Sequence, residues 1–176
     1  MLPQVILLNG PSSSGKSTLS KALQELIREN RSEKYEVVSI DDFMKSDPME
    51  TIYEDDVYEI SGDMCRRVLG ALQAGSGVIV DHVITSERIF RQLQEALLPC
   101  PLQTVRIVCP LEVLRRREAE RGDRCPGSAE SSAEYLYPKE GYDLAVDSSA
   151  GSPSENALLI YEKFFRAPRS CEKTAE

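Results

Sequence analysis

The chain has 176 residues and 29 acidic against 21 basic side chains, a net charge of −8 at pH 7, which suits one domain with its own apolar core. This balance argues against a nucleic-acid partner, which would ask for clustered lysine and arginine, and no apolar run approaches the roughly 20 residues of a membrane span. Five scattered cysteines without a C-x-x-C pair exclude a zinc or dithiol motif, and unpaired thiols with no leader predict a cytoplasmic setting.

The first element is apolar. Val5-Ile6-Leu7-Leu8 reads as a buried parallel strand within Gln4–Asn9. It runs into Gly10-Pro11-Ser12-Ser13-Ser14-Gly15-Lys16-Ser17, the spacing G-x-x-x-x-G-K-[ST]. Leu19, Ala22, Leu23, Leu26 and Ile27 then recur at helical spacing and predict a helix over about Lys16–Arg28. Strand, glycine-rich loop and helix together form a phosphate-binding loop. Glycines let successive N–H groups turn inward on one phosphate chain, and the helix N-terminus adds partial positive charge. Lys16 can reach the outer phosphates, the Ser17 hydroxyl can ligate Mg²⁺, and Thr18 belongs to the same nucleotide-binding stretch. A glycine- and serine-rich turn that merely caps a helix would not need all eight positions and both flanks.

A second strand, Tyr35–Ile40, ends on Asp41 and Asp42. A carboxylate there can accept the proton of an attacking hydroxyl, and it can also cap a helix; two adjacent aspartates allow both jobs. Lys45–Ile60 has no clean period and is rich in acids and tyrosines. If Tyr53–Glu59 lined an acceptor site, it would suit a polar or cationic compound; much of it reads as a solvated loop. A helix over Gly62–Ala74, a break at Gly75-Ser76-Gly77 and a strand over Gly77–Asp81 follow. Asp81 ends that strand where an acid can hold Mg²⁺ directly or through water. His82, the only histidine, reads first as a packed residue.

Next come a helix over Ser86–Leu97, a strand over Thr104–Cys109 and a helix over Leu111–Arg121. Arg117, Arg121 and Arg124 are spaced i, i+4, i+7, so one helical face could present all three, whereas Arg115 and Arg116 suit pairing with nearby glutamates. Arg121 and Arg124 are the candidates for compensating charge on a transferring phosphoryl group. Cys125–Gly141 lacks a period. Tyr142–Val146 reads as a last strand, and Ser152-Pro153-Ser154-Glu155 opens a last helix, Pro153–Arg166. Ala167–Glu176 reads as a polar tail. The alternation predicts an α/β layered fold with a parallel sheet. In such sheets ligands bind beyond the carboxyl ends of the strands, so Asp41 and Asp81 should converge on the phosphate loop.

These segments resemble the chloramphenicol phosphotransferase-like family of P-loop kinases. The likeness rests on Leu8–Ser17, Ile40-Asp41-Asp42-Phe43, Val78-Ile79-Val80-Asp81-His82-Val83, Arg121-Gly122-Asp123-Arg124 with Gly127-Ser128-Ala129, and Tyr142–Asp147 followed by Ser152-Pro153. It implies a three-layer α/β/α nucleotide-kinase fold with a five-stranded parallel sheet, in one domain over 1–166 with an arginine-bearing lid at about 115–137. It also implies ATP, Mg²⁺ and transfer of the γ-phosphate to a hydroxyl of a small molecule by a monomer or homo-oligomer. Asp41 then matches the family's base, Lys16 its loop lysine, and Arg121 and Arg124 its lid arginines. The acidic stretch after the second strand is unlike a pocket for an aromatic drug, so an antibiotic-resistance role stays one option beside ordinary metabolism. Two other readings compete: a toxin-like kinase of nucleotides or sugar nucleotides, which the acids oppose, and a nucleotide-binding regulatory module without turnover.

Overall fold

The computed structural model describes residues 4–44 and 53–166. Five strands form one parallel sheet: β1 (Val5–Asn9), β2 (Tyr35–Ser39), β3 (Gly77–His82), β4 (Leu102–Val108) and β5 (Leu144–Asp147), in the order β2-β3-β1-β4-β5. The helices are α1 (Lys16–Asn30), α2 (Glu54–Gln73), α3 (Glu87–Ala96), α4 (Leu111–Arg121), α5 (Ser128–Tyr135) and α6 (Pro153–Phe165). None of them is long and apolar enough to cross a membrane.

Alternation along the strands divides the core. Val5, Leu7, Val78 and Val80 pack with Met64 and Val68 of α2 and Ile89 and Leu93 of α3. Ile6, Leu8, Ile79 and Ile107 pack with Leu19, Leu23 and Ile27 of α1 and Ile160 of α6. Both faces of β1 and β3 are therefore covered, as their unbroken apolar runs require. The chain leaves β1 toward β2 on one side and leaves β3 toward β4 on the other. The ends of β1 and β3 thus flank the crevice where this connection reverses.

Two of the aperiodic stretches differ from expectation. α2 begins at Glu54, eight residues before the helix that the apolar spacing marks. Glu54, Asp55 and Asp56 occupy its first turn, where carboxylates complement the helix dipole, and Asp56 Oδ2 accepts from the Tyr53 N–H at 3.1 Å. The acids that hide the apolar period are the ones that start the helix. Within Cys125–Gly141 lies α5, a short helix whose inward residues are only Ala129 and Ser132. Its amino end is fixed from outside: Glu118 of α4 accepts from the Gly127 N–H at 2.9 Å and from the Ala129 N–H at 2.7 Å. The tail expected at 167–176, and residues 45–52 of the acidic stretch, lie outside the described residues.

Candidate active site

A cleft of about 680 Å³ opens at the carboxyl ends of β1, β2 and β3. The phosphate loop forms its floor. Gly10 sits so close to β4 that a Cβ there would stand 2.7 Å from the Ile107 Cβ and 2.9 Å from its carbonyl oxygen. Gly15 turns into α1 with φ 86°, left-handed backbone that a side chain would strain. Lys16 follows, buried, its Nζ donating to the Pro11 carbonyl at 2.8 Å. Burial pulls the Lys16 ammonium below the ordinary lysine value, opposed by the Asp81 and Asp41 carboxylates.

Asp81 continues the Ile79 face of β3 and meets the start of α1. Ser17 Oγ donates to Asp81 Oδ2 at 2.6 Å. Burial raises the Asp81 carboxyl, and Lys16 and Ser17 oppose that rise. The pair is a hard-oxygen donor set beside the phosphate loop. Among the described residues no three His, Cys, Asp or Glu side chains gather into a metal cage. Two protein oxygens with phosphate and water completing the shell is how Mg²⁺ is commonly held at nucleotide sites, so Ser17 and Asp81 fit that ion.

The second wall comes from β2 and from the α4–α5 segment. After Ser39 the chain makes one 3₁₀ turn, Ile40–Phe43. Asp42 takes the capping job: its Oδ2 accepts from the Ser39 N–H at 3.4 Å. Asp41 is left to line the cleft, where it forms an ion pair with Arg124. Arg124 does not lie on α4, which ends at Arg121 with Gly122 left-handed at φ 68°. The even helical spacing of 117, 121 and 124 therefore fails at its last member. Arg121 also lines the cleft and pairs with Asp123 at 2.6 Å. Arg115 pairs with Glu130 at 2.7 Å and Arg116 with Glu120 at 3.9 Å, both on the surface.

The described part of the acidic segment, residues 53–59, goes mostly elsewhere. Glu54 accepts from Ser86 Oγ at 2.5 Å, Asp55 pairs with Arg88 at 2.5 Å, and of residues 53–59 only Val57 lines the cleft. Beside Asp41 the wall is instead Ile40, Met44, Val57, Val83, Thr85 and His82. His82 continues the Val78–Val80 face, away from Asp81. It is fully buried, neither ring nitrogen has a hydrogen-bond partner among the described residues, and burial lowers its pKa to about 4.

A phosphate loop, a serine–aspartate pair and a facing carboxylate in one crevice form a recognisable set, and the chain carries its family signature along almost its whole length. A model of the chloramphenicol phosphotransferase-like proteins matches residues 3–165. The chain belongs to that family. A relative in two strains of Mycobacterium tuberculosis, CDC 1551 and H37Rv, provisionally named an O-phosphotransferase, is 27% identical over 188 residues, covering 94% of this chain and 84% of the relative. The APS kinase of Mycobacterium tuberculosis, solved with AMPPNP and APS, superposes with a TM-score of 0.72 at 17% identity, covering 92% of this chain and 96% of that one. A gluconokinase from Sinorhizobium meliloti 1021 gives 0.71 at 22% identity, covering 92% and 91%. The fold is that of the P-loop kinases.

The motifs give no positioning role to several residues that hold the cleft together. Asn9, buried at the end of β1, accepts from the Ile84 N–H at 2.9 Å and donates to the Tyr137 carbonyl and the Tyr142 hydroxyl, each at 2.8 Å. It ties three segments round the cleft; in the sequence it closes an apolar strand within Leu8–Ser17. Arg117 donates to the Ser148 carbonyl at 2.9 Å and to the Ser14 carbonyl of the phosphate loop at 3.4 Å. Ser132 of α5 accepts from the Ser12 N–H at 2.9 Å. No short-range pattern announces that contact, because its partners lie 120 residues apart.

Proposed function

We propose that this protein is an ATP-dependent O-phosphotransferase that moves the γ-phosphoryl group to a hydroxyl of a small molecule. The observation that carries the reading is the Asp41 carboxylate in the same cleft as Lys16 and the phosphate loop. The acceptor oxygen forms a bond to the γ-phosphorus as the bond to the bridging oxygen breaks. Asp41 takes the hydroxyl proton, and ADP carries away the bridging oxygen's electron pair. Gly10 to Thr18 cradle the phosphates, with Lys16, Arg121 and Arg124 set against the charge on the transferring group. Ser17 and Asp81 would hold Mg²⁺, which when bound neutralises charge on the phosphate oxygens. The α4–α5 segment, bearing both arginines over the cleft, serves as the lid.

The wall beside Asp41 supports an uncharged hydroxylated acceptor with an apolar face, because among the described residues Glu54, Asp55 and Asp56 are spent on α3 and on the start of α2. The four free thiols among the described residues suit a reducing compartment. The test is incubation with MgATP and a panel of hydroxylated compounds, read by mass spectrometry. A mass gain of one phosphoryl group on one of them is expected. Slow ATP hydrolysis with no modified compound would point to a regulatory nucleotide-binding module instead.

A further inference from the structure

Two groups that the proposed reaction needs at its centre are tied to each other. Arg124 is 22% exposed and Asp41 41% exposed, and their side chains form an ion pair across the cleft mouth. The Arg124 Nε is buried and has no partner among the described residues. Both ends of the contact are held by the fold. Asp41 sits on the turn that Asp42 caps, and Arg124 sits between the left-handed Gly122 and the Gly127 and Ala129 amides that Glu118 anchors. A guanidinium edge bonded to a carboxylate cannot offer the same donors to a phosphate.

We propose that Asp41 has a second role, as the residue that sets nucleotide affinity: it holds Arg124 off the phosphates until the γ-phosphoryl group takes Arg124 from it. The proposal rests on the kinase reading above. Two consequences follow from the exchange. Triphosphate binds more weakly than the site would allow, by the fraction of molecules in which Arg124 is already free. The base is unpaired only after the donor is in place, so donor binding precedes activation of the acceptor hydroxyl. Lys16 likewise rests on a protein oxygen, the Pro11 carbonyl.

The test is a double-mutant cycle on binding and needs no acceptor. Titration calorimetry with Mg²⁺ and the imido analogue of ATP compares wild type, Asp41→Asn, Arg124→Ala and the double variant, with thermal melts of each as the check on folding and Arg124→Gln in reserve. Asp41→Asn should tighten analogue binding about fivefold, the upper range for a half-exposed ion pair. In the Arg124→Ala background the same change should matter less than about twofold. ADP, lacking the γ-phosphoryl group, should gain less than the analogue. Equal tightening in both backgrounds would mean plain repulsion between Asp41 and the phosphates and would overturn the proposal, as would no tightening at all. If wild type fails to bind the analogue, the kinase reading falls with it; if wild type binds and the cycle is additive, only the latch falls.

Discussion

The two walls of the cleft are built by different physics. The phosphate wall is made of backbone and buried side chains: Lys16 and Asp81 are almost sealed, and Gly10 is pressed against β4. The charged part of the facing wall consists of partly exposed side chains on turns and at the end of α4, with Asp41 and Arg124 tied to each other and Arg121 tied to Asp123. Core packing and backbone geometry fix the first wall. The second wall is set by a few polar contacts that can be exchanged for a ligand. On the proposed kinase reading, the donor side is the rigid one and the acceptor side the exchangeable one.

Substitutions on the two walls should separate accordingly. Asp41→Asn should lower turnover by roughly 10²–10⁴, the usual worth of a general base, while analogue binding tightens. A variant that loses nucleotide affinity but keeps turnover would move Asp41 out of proton transfer. On the phosphate wall, Lys16→Ala should cost about 10²–10³ in transfer and weaken nucleotide binding as well, since its charge meets the donor in both ground and transition states. Wild-type turnover in that variant would contradict the phosphate-loop assignment. A clean split between the two, with one losing rate alone and the other losing rate and affinity, is the signature of walls with separate duties.

The same physics decided how much could be read from the chain. Gly10–Ser17 and the strands around it were legible because backbone geometry there demands particular residues at fixed spacing. Asp41 and Asp81 were legible as strand-end acids. The helical spacing of Arg117, Arg121 and Arg124 misled at its end, because Gly122 terminates α4 and sends Arg124 across the cleft by another route. α5 was hidden because its start depends on Glu118, a residue of another helix, and not on its own apolar pattern. The acids of Glu54–Asp56 were seen as a loop because only their place at a helix start explains them. Local rules reached the phosphate wall. The facing wall depends on contacts between residues 83 apart, as with Asp41 and Arg124.

Asn9 lies where the walls meet, and it should behave as structure. Asn9→Leu removes three hydrogen bonds and leaves the buried Ile84 N–H without its acceptor. A loss of about 3 kcal/mol in urea unfolding is expected, the sum of an unsatisfied group and lost net bonding. A loss under about 1 kcal/mol would show that the three segments are held by packing alone.

His82 gives the smallest effect and the finest comparison, because it stands next to Asp81 on the opposite face of the same strand. Asp81 has Ser17 and Lys16 to answer its burial; neither His82 ring nitrogen has a hydrogen-bond partner of ordinary geometry among the described residues, and its pKa falls to about 4. The unfolded chain takes up a proton at this ring near pH 6.5, and the folded protein only near 4. Between those values the unfolded state binds more protons, so stability is whole above about 6.5 and declines as the pH falls toward 4. From pH 8 to pH 5, wild type should lose about 2 kcal/mol more than His82→Leu in urea titrations. At pH 8 the leucine variant should be as stable as wild type or more so, since replacing an unpaired buried polar ring relieves its desolvation. Equal losses on acidification would mean that the folded ring accepts a proton as readily as the open chain does. The ring would then belong with the exchangeable contacts of the cleft and not with the sealed end of β3.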